Sequence, residues 1–244
     1  MTKTMKTWRV LLLVFLIAGQ SGCGQKSEEE KHENNASENE KVSVLNDKEE
    51  EDEEQQVRNA FENYKAAMQN HDGEKAVKFV DSRTIQYYDD MLELIKTADS
   101  AKMETLSILD KSLVFTIRHE VPKEGILSFD GKSLFAYEVK NERVRLKNAA
   151  DYSISEITIN ENFAKGQLIT KRGTPIDFHF YKEGGQWKIN LTSMFPILKM
   201  GLKMAAAFVG QEENEFLFSS LEMTTGKKPG PEIWEPMVKQ DTAK

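Results

Sequence analysis

The stretch Ile176–Leu191, IDFHFYKEGGQWKINL, decides how this chain is read. Gly184-Gly185 is a two-residue turn between two runs in which apolar and polar residues alternate, and that is the strongest short-range sign of a β-hairpin. With the turn in place Lys182 faces Trp187, Phe180 faces Ile189 and Phe178 faces Leu191. Ile176, Phe178 and Phe180 then share one face with Trp187, Ile189 and Leu191. Asp177, His179, Tyr181, Lys188 and Asn190 collect on the other. A slip of one residue would exchange the two faces, so a register that sorts both strands is the register to expect.

Working back from the hairpin, Tyr152–Ile159 alternates with one phase slip at Glu156, the mark of a β-bulge, and residues 163–170 form a weaker strand around Gly166. Before residue 151 the period is helical. Val57, Ala60, Phe61, Tyr64, Ala67 and Met68 make one apolar stripe, closed by the turn residues Asn70-His71-Asp72-Gly73. A short helix is expected over Glu74–Val80. Asp81 or Ser82 caps the next, whose stripe is Ile85, Tyr88, Leu92 and Ile95. Helical character continues at Ala101–Leu109, Lys111–Glu120 and Lys132–Val139. After the hairpin, Ser193 is expected to cap a helix running to about Val209, with the stripe Met194, Ile197, Leu198, Gly201, Ala205, Phe208 and Val209. Core packing, closing an open sheet face, is the ordinary fate of such a helix. A further helix spans Glu212–Met223, and Pro229-Gly230-Pro231 ends regular structure before Trp234. Helices gathered before an antiparallel sheet mean α+β, because parallel units would interleave the two element types. Residues 55–238 are expected to form one domain, with 239–244 as a disordered tail.

The charge is concentrated elsewhere. Residues 26–56 hold thirteen carboxylates against four lysines, while the whole 244-residue chain carries a formal charge of −7, so the body is close to neutral. A nucleic-acid binder would show a basic face. A single cysteine excludes a disulfide framework and multi-cysteine zinc sites. Residues 24–54 are too polar to offset the entropy of ordering and read as a disordered acidic tether. Residues 1–9 carry three cations and no acid, and Val10–Gly19 (VLLLVFLIAG) is ten residues without a polar side chain. Ten helical residues rise about 15 Å, half of a bilayer core, so the pattern is that of a secretory signal.

Ser21-Gly22-Cys23 at the end of that segment resembles the signal of bacterial lipoproteins. The resemblance implies cleavage before Cys23, which becomes the new N-terminus with diacylglycerol on its sulfur, a palmitate-type lipid anchor. Cleavage after Ser21, giving a secreted protein, and an uncleaved signal are the alternatives. The implied place is the extracytoplasmic side of a membrane, and the outer membrane where the cell has one, since Gly24 rather than aspartate follows the cysteine. The order of elements, with the ending FHFYKEGGQWKINL, resembles the nuclear transport factor 2-like (cystatin-like) superfamily. That resemblance implies a curved sheet wrapped around helices into a cone with an internal pocket.

Fold does not fix function. Isomerases of that superfamily need a pocket carboxylate as base and oxyanion donors, and Asp177, His179 and Tyr181 are a candidate set if their face lines a pocket; otherwise it is the wet face of an antiparallel sheet. Phe178, Phe180, Trp187, Ile189 and Tyr88 are the candidates for an apolar face or pocket lining. Met200, Met204 and Trp234 are candidates for a partner surface, because methionine adapts to irregular contacts. Nucleotide-loop, zincin and nucleophile-elbow motifs are absent, and no cofactor or metal is expected. The leading expectation is a lipid-anchored envelope domain that binds a protein or small hydrophobic ligand without catalysis. A pocket isomerase or dehydratase using Asp177 or His179, and a structural or assembly lipoprotein, are the alternatives.

Overall fold

The computed structural model describes residues 39–143, 152–169 and 175–238, with side chains from Asp52 onward. Cys23, residues 24–38 of the expected tether and the tail 239–244 lie outside the described residues. Seven helices come first: α1 (Asn39–Gln69), α2 (Gly73–Val77), α3 (Ser82–Thr97), α4 (Ser100–Glu104), α5 (Ile108–Glu120), α6 (Lys123–Ser128) and α7 (Gly131–Lys140). The antiparallel meander β1 (Ser153–Asn160), β2 (Phe163–Ile169), β3 (Ile176–Glu183) and β4 (Gln186–Asn190) follows. The turn Leu191–Met194, α8 (Phe195–Phe208), α9 (Glu213–Thr225) and the turn Pro231–Trp234 close the chain. The class is α+β: helices, then a curved antiparallel sheet, then helices in chain order, with α8 and α9 packed on α5.

The hairpin has the expected register: Phe180 pairs Ile189 and Lys182 pairs Trp187. The third expected pair, Phe178 with Leu191, does not form, because β4 ends at Asn190 and the chain turns there. The phase slip in β1 is a bulge, with Glu156 at φ +48° and the register shifting between Ser155 and Thr158. Gly166 is required by a close approach, since a Cβ there would stand 2.6 Å from Cγ1 of Ile154 on β1.

The stripe of α1 is buried from Val57 to Met68 and lies against the sheet, with the Phe61 and Phe178 rings edge-on at 5.8 Å. The helix begins eighteen residues earlier than the stripe, at Asn39. That corrects the reading of residues 39–54 as disordered. Glutamate and lysine are good helix formers, and extension of a helix already nucleated by packing costs little. The final turn of the acidic stretch is also held to the body. Glu53 accepts from Lys182 Nζ at 2.5 Å, and Glu54 pairs with Arg58, whose Nη1 donates to the Ile154 carbonyl at 2.5 Å.

Asp81 is fully buried and joins helix to sheet. Its carboxylate accepts from the Thr84 amide (2.9 Å), the Thr84 hydroxyl (2.7 Å) and Asn190 Nδ2 (2.9 Å), capping α3 and holding the end of β4. Beside it Val80 forms a single parallel bridge to Ile189. Asn190, expected on the wet face, is 5 % exposed because it belongs to this junction. Its Oδ1 accepts from the Ser193 amide at 2.9 Å, so Asn190 caps the turn at Leu191–Met194 and Ser193 caps nothing. The helix expected over Ala101–Leu109 is split by Ser107, which caps α5, and α6 after Pro122 had no apolar period to announce it.

Candidate functional site

Inside the sheet there is core where the cone resemblance implies a pocket. Phe178, Phe180, Trp187 and Ile189 are each 3 % exposed or less, and Tyr88 is 7 % exposed. The four sheet residues form the apolar face that the alternation requires, with α1 packed against it, while Tyr88 on α3 packs on Phe135 of α7 at 5.2 Å. The Trp187 indole N–H is buried without an acceptor among the described residues, and the Lys182 ammonium stands 5.6 Å over its ring.

Asp177, His179 and Tyr181 lie on the opposite, outer face. Asp177 is exposed and accepts from Lys165 Nζ at 3.0 Å and Gln167 Nε2 at 2.6 Å, which hold its carboxyl below the usual range. His179 and Tyr181 are half-buried against Phe163, at 5.3 and 5.2 Å between ring centres. The Arg83 guanidinium stacks on the Tyr181 ring at 3.7 Å. The row faces water, with Asp177 held by side chains of β2 and His179 and Tyr181 resting against Phe163. Arg83 also borders an open depression of about 450 Å³ with Ser82, Gln86, Tyr87 and Asp90. The Tyr87 phenol there donates to Asp110 Oδ1 at 3.0 Å, and burial holds it above its ordinary range. Among the described residues no three histidine, cysteine or carboxylate side chains are placed to hold a metal ion.

Besides Asp81, three buried charged side chains serve the fold. The Arg118 guanidinium donates to the carbonyls of Ile95, Leu94 and Ala98 at the end of α3 and to that of Ile233. Lys111 reaches Asn214 at 3.2 Å and Glu104 at 3.4 Å. Glu138 is 6 % exposed and lies 3.3 Å from Arg143, which also pairs with Glu120.

The surface that needs explanation is α8. Its sequence FPILKMGLKMAAAF has no carboxylate, and the helix is apolar nearly all round. Only Ala206 is buried; Phe195 stacks on Tyr87 at 4.5 Å, and Leu202 also packs inward. Lys199 is directed to Asp110 (3.9 Å) and Lys203 to Glu213 (3.4 Å). Met200 is 57 % exposed, Val209 55 %, Leu198 and Met204 37 % each, and Phe208 86 %. The helix leans chiefly on α5, α9 and the turn before it. It therefore does not close the sheet, and the stripe expected as core lies at its flank and outside. Met200 and Met204 are on the surface as a partner face requires. Trp234 is not: it is half-buried with Phe115 (4.9 Å) and Phe218 (5.8 Å) in an aromatic cluster. Leu198 and Val209 were missed as surface because a helix apolar on every side gives no period that tells inside from outside. The helix lysines were the available signal, since each is spent on a neighbouring carboxylate. Comparison with protein-family models, with curated proteins and with solved structures finds no match for this chain.

Proposed function

We propose that this protein is a lipid-anchored domain of the cell envelope, held through Cys23 on the extracytoplasmic side of a membrane, that works by docking and not by catalysis. The observation that carries the reading is the set of exposed apolar side chains along α8, Leu198, Met200, Met204 and Phe208, with Val209 directly after it. Exposed apolar side chains gathered on one element of a body otherwise well packed mark a contact surface. The filled interior of the sheet argues against the small hydrophobic ligand, and the outward turn of Asp177 and His179 takes both away from any interior reaction. Element order alone supports a nuclear transport factor 2-like relationship. The anchor is tested by growing cells with radiolabelled palmitate. Label on the wild-type protein and none on Cys23→Ala supports the reading; an unlabelled wild-type protein overturns it.

A further inference from the structure

We infer that the α8 face docks on the surface of the very bilayer that anchors the chain, the helix lying in the interface without crossing it. The inference rests on the anchor proposed above.

Length decides between lying and crossing. Fourteen residues of helix rise about 21 Å, short of a hydrocarbon core of about 30 Å. No single helix among the described residues is long and apolar enough to cross a membrane, and the pair Leu191–Phe208 and Glu213–Thr225 that passes jointly is bent by 88°. A helix that is apolar outward and packed on a folded body inward is suited to rest at a boundary.

The chemistry of the face favours lipid over protein. Its exposed residues Pro196, Met200, Met204, Ala207 and Phe208 carry no side-chain hydrogen-bonding group. Protein partners are recognised through several aromatic and arginine anchors inside a polar rim, which set register and orientation; this face has a single exposed aromatic, Phe208 at its end, and no arginine. A fluid apolar phase needs neither. The cations at the border, Lys199 and Lys203, pair with Asp110 and Glu213, and the exposed Glu212 and Glu215 stand at the start of α9. The contact is therefore driven by apolar burial, and anionic lipid adds nothing to it.

The anchor supplies the reach and the concentration. Cys23 and Asn39 are sixteen residues apart, which extend to at most about 55 Å. That contour exceeds the breadth of a body of this size, about 40 Å, so the length of chain between anchor and helix does not keep the α8 face from meeting the membrane. Tethering also makes the docking intramolecular in effect, so a face too small to hold a free domain holds an anchored one.

The test uses the acylated full-length chain in phosphatidylcholine vesicles. Acylation occupies the only native thiol, so Ala207→Cys gives one site for a nitroxide label, and Asp177→Cys on the outer sheet face is the control. Both positions are exposed, so neither substitution disturbs the core. The expected result is a label at 207 that oxygen relaxes well and a water-soluble nickel complex poorly, with the label at 177 showing the reverse. The pattern should survive anionic lipid and high salt, and adding Met200→Ser with Met204→Ser should return the label at 207 to water. A label at 207 as open to nickel as that at 177 overturns the inference. So does a label shielded from both reagents, which would mean a protein cover, a second copy included. The mass of the N-terminal peptide separates the two proposals: an unmodified Cys23 sinks both, whereas a water-exposed label on acylated protein sinks the docking alone.

Discussion

Arg118 Nη1 donates to the carbonyl of Ile233, 3.0 Å away and 115 residues further along the chain. The same guanidinium closes the end of α3 through Ile95 (2.9 Å), Leu94 (3.1 Å) and Ala98 (2.6 Å), so one side chain joins the first group of helices to the last turn. Burial lowers its pKa to about 10, which leaves it charged at neutral pH. The cation also sits at the negative end of the α3 dipole.

Arg118→Met should therefore remove four bonds to buried carbonyls and cost about 3 kcal/mol of stability. Urea unfolding measures the loss, and Trp234 fluorescence should shift to the red as the last turn comes away. Arg118→Lys should recover only part, because an ammonium cannot repeat the planar fork. A loss under about 1 kcal/mol for Arg118→Met would show that water replaces the guanidinium at little cost.

Glu138 predicts an unusual pH dependence. Burial raises its pKa from 4.5 to about 7 against the pull of Arg143, with Glu120 pushing the same way. Between these two values the folded state keeps a proton that the unfolded state has lost, so stability falls as pH rises through the window. Above it the cost is complete, about 3 kcal/mol. Glu138→Gln should flatten the urea midpoint between about pH 5 and 8 and raise it at the upper end. Parallel curves for the two proteins would refute this.

Gly166→Val should destabilise by about 1–3 kcal/mol, because the new side chain meets Ile154 at the β1–β2 pairing. Relief by a second change, Ile154→Ala, is the check. Additive losses in the double variant would mean that Gly166 is needed for its backbone alone.

On α8 the expectation reverses. Met200→Ser should change the unfolding free energy by less than about 0.5 kcal/mol, because the side chain is mostly in water. A large loss would mean that the residue is core after all.

How far the sequence could be read depended on whether a pattern had two distinguishable sides. The hairpin at Gly184-Gly185 and the α1 stripe from Val57 did, and register and burial followed from them. The start of α1 did not, since glutamates gain from helix formation without burying anything and leave no apolar period. Ser107 and Asn190 were hidden for another reason: a cap is defined by the backbone turn it serves, and several polar residues nearby could have served it. The site was least legible. Asp177, His179 and Tyr181 were placed on one face correctly, but which way that face points depends on α1 lying against the other. For α8 a uniform apolar surface says that contact is needed and nothing about which contact lies within the domain.

The most direct measurement is the rate at which peroxide converts individual methionines to sulfoxides in intact envelopes and in the detergent-extracted protein. Met200 and Met204 on α8 should be protected in the envelope and react freely after extraction, while Met223, 55 % exposed on α9, reacts alike in both. Equal rates for all three in the envelope would contradict the account, because the face from which it is built would then be covered by nothing.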